Sequence, residues 1–180
     1  HVAFQVASII TTTGYSTVDF NTWPTFSKTV LVLLMLIGAS AGSTGGGIKV
    51  SRIVILAKSV KKELKQYLHP HSISKIKMDG KPVEHEVVRS INVFLIAYLL
   101  IYAVSMLIVS LDNFDFTTTF TSVAATINNI GPGLDLVGPA ANFGILSVPS
   151  KLVLIFDMLA GRLEIFPLLL LFVPDTWRKF

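Results

Sequence analysis

Long uncharged stretches alternate along this chain with short apolar ones rich in Thr and Ser. Thr29 to Ile48 contains no charged residue, and twenty residues of helix cover the roughly 30 Å hydrocarbon core of a bilayer. Ser90 to Leu111 is a second uncharged run of sufficient length. A third apolar stretch runs from about Ser147 to Val173 and carries Asp157, Arg162 and Glu164 within it. The pattern predicts an all-α chain with three spans, the third of them unusual.

Val2 to Thr12 and Phe116 to Asn128 are moderately apolar and too short to cross. At that length a re-entrant helix is expected. Each ends at a polar-glycine junction, Thr13-Gly14 in one case and Asn129-Ile130-Gly131 in the other, and each is followed by a polar loop and a span. The order reads as short helix, junction, span, linker, span, short helix, junction, span. That is a repeat of span, short helix, span, with the opening span of the first unit absent. Gly14 precedes Gly45 by 31 residues and Gly131 precedes Arg162 by the same 31, which puts Arg162 at about the depth of the glycine run if the loops are alike.

Composition agrees with this picture. Hydrophobic residues make up 52% of the chain and charged ones 14%, too apolar for an ordinary soluble domain. His1 opens into an amphipathic run without the basic start of a secretory signal, so the beginning reads as internal to something longer. There is no cysteine, which excludes disulfides, thiolate metal sites and cysteine nucleophiles. The positive charge gathers in one polar stretch, Lys58 to Arg89, with Lys61, Lys62, Lys65, Lys75, Lys77 and Lys81. The positive-inside rule explains that better than nucleic acid and places the stretch in the cytoplasm. Both junctions then lie on the outer side, and Trp177-Arg178-Lys179 returns to the cytoplasmic side with Trp177 as an interfacial anchor. The expected division is 1–58 for the short helix, junction and broken span, 59–88 for the linker, and 89–180 for the second unit.

Non-helical backbone at membrane depth is tolerated only where it is buried in protein or lines a water-filled path. Thr11, Thr12 and Thr13 offer carbonyls and hydroxyls to a cation shedding its water, and Gly14, followed by Tyr15, lets the chain turn carbonyls inward without a Cβ clash. The carbonyl end of a re-entrant helix adds partial negative charge. The plain alternative is a Thr-rich turn in an outer loop. The second junction aligns Asn128 with Thr11, Asn129 with Thr12, Ile130 with Thr13, Gly131 with Gly14 and Pro132 with Tyr15. Alone, an Asn-rich Gly-Pro run is usually only a turn. The two junctions differ chemically, which argues for a pseudo-symmetric pore folded from one chain and not a homotetramer.

Gly42, Ser43, Thr44, Gly45, Gly46 and Gly47 break the first span near its end. A Walker A loop needs Lys directly after its last glycine and then Ser or Thr; here Ile48 intervenes before Lys49 and no buried strand precedes. A flexible interruption lining a pore fits better, with Ser40, Ser43 and Thr44 able to satisfy freed backbone groups. Arg162 is costly within a membrane, about 2.5–3.5 kcal/mol on insertion scales, and such a group faces a cavity or a partner. It lies well around the helix from Asp157, which shares a face with Glu164. Arg162 is expected to enter the cavity beneath the junctions as a barrier to cations; the alternative is an ion pair serving assembly. His1, His69, His71 and His85 read as solvated loop residues and not metal ligands.

Phe4-Gln5 through Thr17, Gly38 through Lys49, Asn128 through Gly133 and Gly161-Arg162-Leu163-Glu164 together resemble the Trk/Ktr/HKT superfamily of potassium transporters, specifically the bacterial Trk-type membrane subunit. The likeness covers nearly the whole chain. It implies a potassium-channel-like pore of four repeats in one polypeptide, of which this chain holds the C-terminal half without the opening span of repeat three. It implies potassium uptake across the bacterial inner membrane, with K+ as substrate at filters formed around Gly14 and Gly131 and no cofactor in this chain. The glycine run would be the intramembrane gate and Arg162 the pore arginine beside it. Expected partners are the rest of its own polypeptide, a second copy in a homodimer, a cytosolic nucleotide-binding regulatory ring and the lipid bilayer. Two rivals stay open: a sodium-permeable or sodium-coupled transporter, and a non-conducting assembly or regulatory membrane subunit. An enzyme is not expected, since no nucleophile–base pair emerges.

Overall fold

A computed structural model describes residues 1–43, 45–70, 75–163 and 165. Among the described residues six helices carry the architecture: α1 Val2–Ile10, α2 Thr25–Ile37, α3 Val50–Leu68, α4 His85–Val109, α5 Phe116–Ile127 and α6 Val148–Leu163. Between α3 and α4 lies a small hairpin, β1 Lys77–Met78 and β2 Lys81–Pro82, paired antiparallel. Its turn, Asp79-Gly80, has positive φ at both residues (50° and 79°), as a two-residue hairpin turn of right-handed twist requires. This hairpin is an addition to the all-α expectation.

The expected second uncharged run forms as predicted. His85–Asp112, the last three residues in a 3-10 turn, is 28 residues long and contains an 18-residue window with a mean hydropathy of 2.5, long and apolar enough to cross a membrane. Its inward stripe is Ile91, Phe94, Tyr98, Tyr102, Ser105 and Val109, spaced three or four apart as one helix face demands. The opposite face leaves Ile96, Leu100, Val104 and Leu107 exposed. The two short helices also form where expected, as α1 and α5.

The first uncharged run is corrected. Thr29 to Ile48 is not one helix interrupted at Gly42. Helix α2 stops at Ile37, because Gly38 takes φ +74°, and irregular chain continues to Lys49 before α3 begins. A β-carbon on Gly38 would lie 3.0 Å from the Gly46 carbonyl oxygen, so only glycine lets the two ends of the interruption meet. The Val50 N–H then donates to the Ala39 carbonyl at 3.1 Å and closes the loop at its base. Helix α3 runs through position 58 to Leu68, and α4 starts at His85. The Lys, Glu, Leu and Gln residues of 58–68 are good helix formers, so the helix continues past its apolar half.

Two apolar clusters hold the fold. One joins α4, α5 and α6 around Tyr98, Tyr102, Val123, Ile127 and Leu154. The other joins α1 and α2 through Ile9, Phe20, Leu31 and Met35, and it takes in Ile130 and Leu134 from the chain after α5. The second unit therefore places two side chains in the core of the first. The part of the third apolar stretch beyond Ile165, with Trp177, lies outside the described residues, as do Thr44, His71 and Glu164.

Candidate functional site

Helices α1 and α5 end in the same way. Thr11 N–H bonds to the Ala7 carbonyl and Asn128 N–H to Ala124, the last α-helical bonds of each. Thr12 N–H bonds to Ile9 at 3.1 Å and Asn129 N–H to Thr126 at 2.9 Å. Thr13 N–H reaches back to Ser8, and Ile130 N–H to Ala125, both at 2.9 Å. This is the Schellman arrangement, which requires a left-handed residue just past the helix. Thr12 at φ 55° and Asn129 at φ 54° supply it. Asn tolerates that conformation through its short polar side chain, whereas β-branched Thr does so only under strain. Two residues later Gly14 and Gly131 again take positive φ, 80° and 108°. The first four aligned pairs thus share one backbone pattern, while the side chains of the first three differ.

The two junctions meet. A β-carbon on Gly14 would strike the Ile130 carbonyl oxygen and come within 3.3 Å of the Pro132 ring. Thr12, Thr13, Asn129, Ile130 and Gly131 line one open cleft of about 530 Å³. The Thr11 hydroxyl donates to the Ala7 carbonyl at 2.7 Å and lies 2.8 Å from the Thr13 hydroxyl, while the Tyr15 carbonyl accepts from Ser8 Oγ at 2.6 Å. Outside, Asn21 clasps the second unit: its side chain donates to the Asp135 carbonyl at 3.2 Å and accepts from the Asp135 N–H at 2.9 Å. Asp115 caps α5, accepting from Thr118 N–H at 3.1 Å, and hydrogen bonding from Thr118 holds its carboxyl below the usual range.

The glycine run lies against both helix ends. A β-carbon on Gly45 would sit 3.2 Å from Thr12 Oγ1, one on Gly46 2.7 Å from the Asn128 carbonyl oxygen, and one on Gly47 2.5 Å from Asn128 Oδ1. Ser43 Oγ donates to the Ser40 carbonyl at 2.7 Å, as the need to satisfy freed carbonyls anticipates. Asn128 itself is fully buried, accepts from Tyr98 Oη at 3.1 Å and donates to the Ala124 carbonyl at 2.8 Å. Tyr98 belongs to an aromatic ladder, with ring centroids 6.4 Å from Phe94 and 6.2 Å from Tyr102.

Arg162 is exposed and lines a small cavity of about 50 Å³ with Gly45, Gly47, Lys49, Arg52 and Tyr98. Arg162 and the glycine run therefore face one cavity. Helix α6 approaches closely because of Gly161, whose β-carbon would collide with the Ile127 carbonyl oxygen. Asn129 Nδ2 donates to the Met158 carbonyl at 2.9 Å and fastens the same contact. Asp157 points away from Arg162, fully buried, with Ser105 Oγ donating to its Oδ1 at 2.7 Å. Three contributors escaped the sequence reading: Tyr98, Asn21 and the packing role of Gly161. For Tyr98 a signal existed, since the spacing of Phe94, Tyr98, Tyr102 and Ser105 puts three polar groups on one face of an apolar helix. Among the described residues no group of three or more His, Asp or Glu could hold a metal ion.

The family model for TrkH, described as a cation transport protein, matches residues 1–179. The Trk system potassium uptake protein TrkH of Salmonella typhimurium is 43% identical over 176 residues, which is 98% of this chain and 36% of that relative. TrkH of Vibrio parahaemolyticus is 45% identical over 176 residues, again 98% of this chain and 36% of the relative. The crystal structure of the potassium transporter TrkH from Vibrio parahaemolyticus matches with a TM-score of 0.83 at 44% identity, over 97% of this chain and 37% of that one. Fold and relatives define a membrane protein of the cation-transport class, whose members here are transporters and not enzymes. Within that class the chain belongs to the TrkH family. It spans a little over a third of the length of these relatives.

Proposed function

We propose that this chain forms two of the four filter segments, and the gate, of a potassium uptake pathway in the bacterial inner membrane. The observation that carries the reading is the meeting of two identically closed helix ends at Gly14 and Ile130. Both helices turn their carbonyl ends to one place, where partial negative charge and inward carbonyls stabilise a dehydrated cation. Thr11, Thr12, Thr13, Gly14 and Tyr15 make one filter segment, and Asn128, Asn129, Ile130, Gly131 and Pro132 the next, each at the end of a re-entrant helix within a span, short helix, span repeat.

Directly against both lies the interruption that includes Gly42, Ser43, Gly45, Gly46 and Gly47. Its contacts with Thr12 and Asn128 support a gate that rests on the filter, and Arg162 beside it supplies positive charge where a cation would pass. The remaining repeats come from the rest of the polypeptide. The family likeness further supports a homodimer served by a cytosolic nucleotide-binding ring on the side of the Lys58–Arg89 segment.

Potassium and sodium flux into liposomes holding the full-length protein, with Gly14→Ser alongside, tests the reading. Potassium-preferring flux that loses its preference in the variant supports the filter. Flux indifferent to the two ions in the native protein, or unaltered preference in a folded variant, overturns it.

A further inference from the structure

We infer that the cleft between α3 and the start of α4 is a binding site for an anionic phosphate group, and specifically for the headgroup of an acidic phospholipid. The segment 58–89 holds eight Lys and Arg against four Asp and Glu, so it carries the whole +4 net charge of the chain. The fold concentrates part of that excess. Lys62 from α3, Lys75 from the hairpin approach and Arg89 from α4 line a cleft of about 850 Å³. Glu63 and Glu84 share the lining, yet among the described residues neither forms a salt bridge with these cations. His85 and Asn92 add hydrogen-bonding groups, and Ser59, at the α3 side, has a buried hydroxyl without a partner.

The position of the cleft selects a lipid over a soluble anion. This step rests on the membrane reading above. Ser90 opens the uncharged run of α4, so Arg89 and Asn92 straddle the edge of the hydrocarbon layer at headgroup level. Val88 and Val93 give the same cleft an apolar side along which an acyl chain can leave. The hairpin is held over it by Lys58 Nζ, which donates to the Lys77 carbonyl at 2.8 Å. Basic pockets between membrane helices on the cytoplasmic side suit acidic headgroups, and each nearby cation contributes about five-fold in affinity.

The test uses the full-length protein in detergent, titrated with phosphatidylglycerol, phosphatidylcholine or inorganic phosphate, with bound lipid read by native mass spectrometry and melting temperature read in parallel. No ion gradient is involved, so failure of the transport reading does not disturb the result. Phosphatidylglycerol is expected to bind more tightly than phosphatidylcholine and to raise the melting temperature. Lys62→Gln and Arg89→Gln should each weaken it about five-fold. The pair Lys61→Gln and Lys65→Gln removes two charges from α3 outside the cleft, one more than either single variant, and should leave binding unchanged. Lys62→Arg retains the charge and should retain binding, which keeps the test decisive if Arg89→Gln fails to fold. Equal weakening by the Lys61/Lys65 pair, or no preference for phosphatidylglycerol, overturns the site. Stabilisation and lipid displacement by millimolar phosphate alone would retain the anion site and overturn its assignment to a lipid.

Discussion

The carbonyl oxygen of Ile130 occupies the space into which a β-carbon on Gly14 would project. The side chain of Ile130 is at the same time buried in the cluster around Ile9, Phe20 and Met35. One residue of the second unit is thereby set against the first through both its backbone and its side chain.

Gly14→Ala should therefore do more harm than Gly131→Ala. Both positions have positive φ, which disfavours a side chain alike, but a β-carbon on Gly131 would meet only Gly14 Cα at 3.9 Å. Overpacking costs about 1–3 kcal/mol, so the potassium-over-sodium permeability ratio should fall roughly ten-fold further in Gly14→Ala. Reversal potentials of the two full-length variants measure this; equal losses would show that conformation and not the Ile130 contact decides.

Tyr98→Phe removes the donor to Asn128 Oδ1 while leaving the aromatic ladder in place. A buried acceptor left unsatisfied costs about 1–3 kcal/mol. The variant should melt at lower temperature, and because Asn128 touches Gly46 and Gly47, its resting conduction should also rise. A melt unchanged from the native protein would mean that water replaces the hydroxyl. A shifted melt with unaltered conduction would separate the bond from the gate.

Arg162→Ala should raise ion flux. A barrier of about 1.4 kcal/mol is a ten-fold effect, and a cation beside the path can supply it at low dielectric. Shortening the run Gly45 to Gly47 should act in the same direction, since these residues abut Thr12 and Asn128. Reduced or equal flux in stably folded protein removes the electrostatic barrier from the account.

Asp115→Ala should cost about 1 kcal/mol by removing the cap of α5. Hydrogen bonding from Thr118 lowers the folded-state pKa of Asp115. Its contribution is therefore complete above the unfolded pKa near 4 and is lost as pH falls through the lower folded value. Melting curves at pH 7 and pH 3 should show the native protein approaching the variant at the acid end. A constant gap between the two would contradict the linkage.

Helix α4 was legible because an uncharged run of span length has few alternatives, and α1 and α5 because they stop at polar-glycine junctions. Asn129 and Gly131 could be read as left-handed positions from residue type alone. Thr12 could not, since a β-branched residue argues against that conformation and only the alignment with Asn129 points to it. The true start of the interruption was hidden by Gly38-Ala39-Ser40-Ala41, which is small and uncharged and reads as more helix. Tyr98 with Asn128 and Asn21 with Asp135 are 30 and 114 residues apart, distances at which one sequence carries no pairing information.

A backbone bond from Val50 N–H to the Ala39 carbonyl closes the base of the interruption. Eleven residue steps of chain, about 36 Å if drawn out, are folded between those two atoms. The loop is therefore stored length with a clasp at its base. A load applied at the Lys-rich end of α3 reaches that clasp before it reaches α2, and once it yields the slack can run out without either helix unwinding. Cysteines at positions 39 and 50, joined by a short crosslinker, should hold the slack in and keep the path shut under any load from the cytoplasmic side; conduction that persists after crosslinking would mean that the loop moves at its tip with its base closed.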